Sequence, residues 1–135
     1  MKIKCVGSIL YNDFDKIFLM TSPKWNGYVV PGGKINNGEN YKEALHREIL
    51  EELSIEINNL VFAGEKFKKK SHDFKDSKTE FHFIDYFAHA LTEDIIPNEE
   101  LSEWGWFSIE DALMLNLVDS TREFVLKYKR WKENN

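Results

Sequence analysis

The chain has 135 residues, of which 42% are hydrophobic and 14% aromatic, and a formal charge of -5 at pH 7. That apolar share is enough for one core in one domain and excludes a disordered polyelectrolyte. The negative balance gives no general attraction to a nucleic-acid polymer, so a polyanionic substrate would need a local basic patch or metal ions.

Residues 6–10 and 17–20 are short apolar runs on either side of Asn12-Asp13-Phe14-Asp15, which predicts two strands and a tight connection. Cys5, the single cysteine, lies at the edge of the first run and reads as a core residue. One cysteine allows no intrachain disulfide, and a reducing, cytoplasmic setting is expected. Residues 25–31 lead into Pro31-Gly32-Gly33, a predicted loop whose backbone can come very close to something else. After a turn at Asn36-Asn37-Gly38, Asn40 is placed to cap a helix reaching about Leu53, because Ala44, Leu45, Ile49 and Leu53 recur at helical spacing.

Residues 55–67 read as a strand interrupted near Asn58-Asn59, residues 68–78 as an exposed polar hairpin loop, and residues 80–90 as an aromatic-rich strand. A loop over 97–102 and a short strand over 104–107 follow. Ser108-Ile109-Glu110-Asp111 resembles a capping box opening a short helix. A last helix is expected from Asp119 or Ser120 to about Trp131. This order predicts an α/β fold, a mixed sheet with helices on both faces, as a single domain over residues 1–135. The apolar stretch after Met1 is too short for a signal peptide, and no run approaches the ~20 residues that span a bilayer, so no membrane partner is expected.

The predicted first helix carries the chemistry. Glu48, Glu51 and Glu52 are three and four residues apart and project from one face. Like charges at that spacing destabilise a helix by roughly 0.2–0.5 kcal/mol per pair. Arg47, four residues after Glu43 and four before Glu51, offsets part of this. A cluster that works against local stability is a candidate site for divalent cations, and carboxylate oxygens suit hard Mg2+ or Mn2+. The preceding double glycine lets a backbone carbonyl join that shell.

The spacing is longer than one helix face. Gly33, five residues, Glu39, seven residues, Arg47-Glu48-Ile49, one residue, Glu51-Glu52, one residue, Ser54-Ile55: this resembles the Nudix box, with Ser54 where the family pattern has glycine. Glycine after a helix commonly supplies a left-handed cap, so serine there would cost on the order of 1 kcal/mol if the conformation is kept. The resemblance implies an α/β/α sandwich and hydrolysis of a nucleoside diphosphate linked to a further group. It implies that Glu48, Glu51 and Glu52 bind metal, with the Gly32 carbonyl in the inner shell. It also implies that Arg47 holds the helix against the loop by pairing with Glu39, and that Lys34 faces the phosphates. A glutamate outside the box often contributes, and Glu100, six residues before Trp106, fits, with Glu99 and Glu103 as competing neighbours. The proton acceptor is Glu100 or a box glutamate.

The stretches HFIDYF, PNEELSEWGWFSIEDAL and LNLVDSTREFVLKYK resemble the triphosphatase branch that prefers pyrimidine deoxynucleotides, and more loosely the GDP-mannose branch. The implied reaction takes a nucleoside triphosphate to the monophosphate and pyrophosphate. Nucleotide-sugar or ADP-ribose cleavage, or a non-catalytic nucleotide sensor, is the alternative. Trp25 and Tyr28 are candidate base contacts, as is Phe74. His82, Asn116 and the run Lys68-Lys69-Lys70 are weaker candidates. The partner expected is a small nucleotide, with the protein a monomer or homodimer.

Overall fold

A computed structural model describes residues 2–69 and 79–135. In chain order the elements are β1 (Lys2–Tyr11), β2 (Ile17–Thr21), β3 (Gly32–Lys34), α1 (Tyr41–Leu53), β4 (Ile57–Lys69), β5 (Glu80–Ala90), β6 (Glu103–Phe107), α2 (Ile109–Met114) and α3 (Asp119–Glu133). The strands form one sheet in the order β4-β5-β1-β2-β6, with β3 attached to β1. β1 and β5 run parallel and the other pairs antiparallel, so the sheet is mixed as predicted.

Alternation along the central strands builds two cores. Val6 and Leu10 of β1 and Ile84, Tyr86 and Ala88 of β5 pack with Ala44, Leu45, Ile49 and Leu53 of α1. Ile9 and Phe87 point the other way, into Ala112 of α2 and Phe124, Val125 and Tyr128 of α3. This is the α/β/α sandwich: each face of the sheet is apolar and each is covered by a helix. Cys5 is buried, as expected. Among the described residues no helix is long and apolar enough to cross a membrane.

Several sequence signals act where they were placed. Asn40 caps α1, its side chain accepting the Glu43 N–H while the Glu43 carboxylate accepts the Asn40 N–H. Ser108 caps α2 by accepting from the Asp111 N–H. Asn12 organises the β1–β2 connection, its side-chain oxygen accepting from the backbone N–H groups of Phe14 and Lys16. The break expected in the fourth strand is a register shift after Asn58, with Asn59 left-handed at φ 53.

Several boundaries differ. β1 begins at Lys2, because its first residues pair in parallel with Glu80–Phe83. Gly32 and Gly33, expected in a loop, lie with Lys34 in a short strand on Cys5, Val6 and Gly7. Residues 68–69 extend β4 instead of starting a loop. The remainder of that predicted loop, with Lys70 and Phe74, lies outside the described residues.

Candidate active site

Backbone geometry at β3 and at both ends of the contact with α1 brings the carboxylates of the helix to β3. β3 lays Gly32 and Gly33 against β1, directly over the helix. Gly33 approaches Glu48 so closely that a Cβ there would overlap the carboxylate, so only glycine permits the contact. Glu52, buried at 6% exposure, accepts the Gly32 N–H through Oε1 at 3.0 Å. At the other end, Ser54 closes the helix at φ 59 and ψ 33 and donates its N–H to Leu50. Serine therefore keeps the left-handed conformation that glycine would supply without strain.

Arg47 is the clasp. Its Nε and Nη2 pair with Glu39 at 2.6 and 3.0 Å, and Nη2 also donates to the Lys34 carbonyl at 2.9 Å. Its Nη1 reaches Glu48 at 3.0 Å and Glu51 at 3.2 Å. One planar fork thus ties the loop before α1, the end of β3 and two carboxylates together, which a lysine ammonium could not do. The arginine beside Glu39 holds that carboxyl below its ordinary range, helped by the Asn36 N–H.

Electrostatics set the box carboxylates apart. Burial, with Glu48, Glu100 and Glu51 adding repulsion, pushes Glu52 up to about 8 despite the Gly32 N–H. Burial also raises Glu48, against the pull of Arg47, with Glu51 and Glu100 opposing ionisation. Glu100 lies far along the chain, yet its charge is felt at both. It is brought there because its loop docks on the open end of α1. The Ile96 N–H donates to Leu53 O at 3.0 Å and the Asn98 N–H to Glu52 O at 2.9 Å, filling helix-end acceptors. Asn98 then accepts the Glu100 N–H at 3.0 Å. Of the competing neighbours, Glu103 accepts the Tyr28 hydroxyl at 3.2 Å and begins β6, while Glu99, like Glu100 itself, is exposed.

Two of the carboxylates of α1, Glu48 and Glu52, are thus raised first by burial and then by their acidic neighbours, and carboxylate oxygens are the ligand type that hard divalent cations take. Among the described residues no three acidic, histidine or cysteine side chains already converge in coordinating geometry. Their oxygens are turned to the available donors instead, Glu48 and Glu51 to Arg47 and Glu52 to Gly32. Lys34 is exposed beside them, and its charge is felt at Cys5.

The aromatic candidates are placed differently. Tyr28 packs edge-on against Phe107 at 5.9 Å on the α3 side of the sheet, and its backbone joins Asn116 and Val118. Trp25 is half exposed in a turn closed by Ser22. His82 is a packed strand residue, stacked on Phe67 at 4.3 Å and paired with Glu65 at 2.9 Å. One buried charge escaped the sequence reading altogether. Asp85, in the middle of HFIDYF, is 7% exposed and paired with Lys66 at 3.4 Å. The available signal was a lone acid in a strand otherwise made for burial.

The family profile described as the NUDIX domain matches residues 1–128. The NAD-capped RNA hydrolase NudC of Pseudomonas syringae pv. tomato is 26% identical over 88% of this chain and 41% of its own length, so the chain spans about two fifths of that relative. The nucleoside triphosphatase NudI of Escherichia coli O81 is 28% identical over 71% of this chain and 72% of its own. Among solved structures, a MutT NUDIX hydrolase from Burkholderia pseudomallei superposes with a TM-score of 0.78 at 23% identity, covering 94% of this chain and 98% of its own, which shows the fold.

Proposed function

Because the chain belongs to the Nudix family, we propose that it hydrolyses a phosphoanhydride bond of a nucleoside triphosphate, releasing the monophosphate and pyrophosphate. The observation that carries this reading is the packing of Glu48 and Glu52 against Gly33 and Gly32, with Glu51 sharing Arg47 with Glu48. These carboxylates, with the Gly32 carbonyl, would hold Mg2+ or Mn2+. Bound there, the cation would neutralise phosphate charge and acidify a coordinated water.

The chain's own residues supply the rest. Arg47 fixes the helix to the loop and so sets the separation between Gly32 and the carboxylates. Lys34, exposed at the end of β3, would meet the phosphates. Glu52 and Glu100 are the candidate acceptors for the proton of the attacking water. The likeness to a nucleoside triphosphatase, 28% identical over 71% of this chain and 72% of its own length, supports the triphosphate.

The test is release of pyrophosphate from a panel of common and modified nucleoside triphosphates with Mg2+, run beside nucleotide sugars and dinucleotides. Turnover of a triphosphate at the α–β anhydride is the expected result. Intact triphosphates beside cleaved sugars or dinucleotides would move the reading to those substrates. Binding with no cleavage of any compound would make the protein a sensor.

A further inference from the structure

Asp85 is a buried carboxylate that the cluster on α1 does not use. Its neighbours Ile84 and Tyr86 belong to the core beneath α1, and alternation turns Asp85 to the opposite, α3 face. There Lys66 of β4 reaches it at 3.4 Å while lying over the Phe124 ring at 5.7 Å, and Lys127 of α3 adds a second nearby positive charge. A buried ion pair is a poor source of stability, because desolvation offsets the attraction. Its place in the sheet gives it another use.

Strand register puts Asp85 level with Gly64 of β4 on one side and Gly7 of β1 on the other, and Gly7 is level with Gly32 of β3. Adjacent strands lie ~4.8 Å apart, so Asp85 is about 10 Å across the sheet from Gly32. That is the reach of a nucleoside from the far edge of its base to its phosphates. On the same face, Phe83 and Phe81 are level with Lys66 and Lys68, and the two rings lie 6.0 Å apart at 23°. Aromatic faces beside lysines suit a base and its charged tail.

We infer that Asp85, assisted by Lys66, reads the base, and selects nucleotides that present an exocyclic amino group. The inference rests on the nucleotide reading above. A carboxylate can only accept, so it takes an amino N–H and repels a carbonyl oxygen at the same place. An amino group also projects beyond the ring and can reach a recessed acid. The ring N–H of uracil sits between two carbonyl oxygens that would press against the carboxylate. A site built to accept an N–H discriminates against the analogue that lacks it.

The test is metal-free binding of nucleoside monophosphates, followed by amide shift titration, in amino and oxo pairs: CMP against UMP, AMP against IMP, GMP against XMP. For the ring that binds best, the amino member is expected to bind at least roughly tenfold more tightly. Asp85→Asn, which can donate as well as accept, should collapse that ratio, and Lys66→Gln should weaken both members while leaving the amino member ahead. Equal binding within every pair in the unmodified protein overturns the inference, as does no binding of any monophosphate. An Asp85→Asn variant that is folded by its amide spectrum and keeps the ratio also overturns it. An amino preference without hydrolysis of any triphosphate would leave the inference standing and remove the proposed reaction. Hydrolysis without the preference would do the reverse.

Discussion

Glu52 combines two demands that conflict in the absence of a cation: it is buried, and it lies beside other acids. Its folded-state pKa is pushed up to about 8 from 4.5. Between those values the folded protein holds a proton that the unfolded chain has released, so stability falls as pH rises through that window. With chelator present, Glu52→Gln should flatten this dependence. Above pH 8 it should be more stable than the parent by on the order of a few kcal/mol, since each unit corresponds to about 1.4 kcal/mol. Denaturant melts of both proteins at a series of pH values measure it, and equal slopes would show that Glu52 ionises freely. The same substitution should lower turnover with Mg2+ roughly 100-fold or more. Glu43→Gln should cost little, because Glu43 is engaged in the cap at Asn40, away from the cluster. Arg47→Lys tests the clasp in another way. It keeps the charge and loses the fork that spans Glu39, Lys34 O and Glu48, so turnover should fall about tenfold with the fold retained. Parent-like kinetics in that variant would reduce Arg47 to a charge-balancing role.

At the scale of elements, what could be read from sequence was what is local. α1 was legible because its cap, its apolar spacing and its acids all lie within one stretch, and α2 was legible from Ser108 for the same reason. β3 was not, since nothing in Pro31-Gly32-Gly33 says that Val6 and Gly7 will be its partners. The first residues of β1 were missed likewise, their partners being Glu80–Phe83. The end of α1 gives a direct test of an element boundary. Ser54 holds φ 59, a conformation that costs an L side chain and not glycine. Ser54→Gly should therefore raise stability by roughly 0.5–1 kcal/mol, seen as a higher denaturation midpoint with an unchanged slope. Glycine's greater freedom in the unfolded chain takes back part of the gain. A lower midpoint would mean that the serine makes compensating contacts in this cap.

At the scale of the whole molecule, the candidate site joins segments far apart in sequence, and that is why it was legible only in part. The box residues share one helix, so their grouping follows from helix geometry alone. Glu100 is a candidate only by resemblance to a loop position; what the structure adds is the docking of that loop, through Ile96 and Asn98, on the last carbonyls of α1. Asp85 could not be read from one strand, because its surroundings come from β1, β4 and α3. A cation held by both α1 and the loop of Glu100 would cross-link two parts of the fold. It would bind the folded chain and not the unfolded one, and so raise the melting temperature with concentration. Mg2+ or Mn2+ should accordingly stabilise the protein by about 2.7 kcal/mol when present at 100 times its dissociation constant. Glu52→Gln should abolish most of that gain, and Glu100→Gln should reduce it while slowing the chemical step with little change in substrate affinity. Glu99→Gln and Glu103→Gln serve as controls, the latter because Glu103 is already engaged by Tyr28. If Glu100→Gln keeps the full metal-dependent rise in melting temperature and full turnover, Glu100 shapes only the local field, and the metal and the proton both belong to the glutamates of α1.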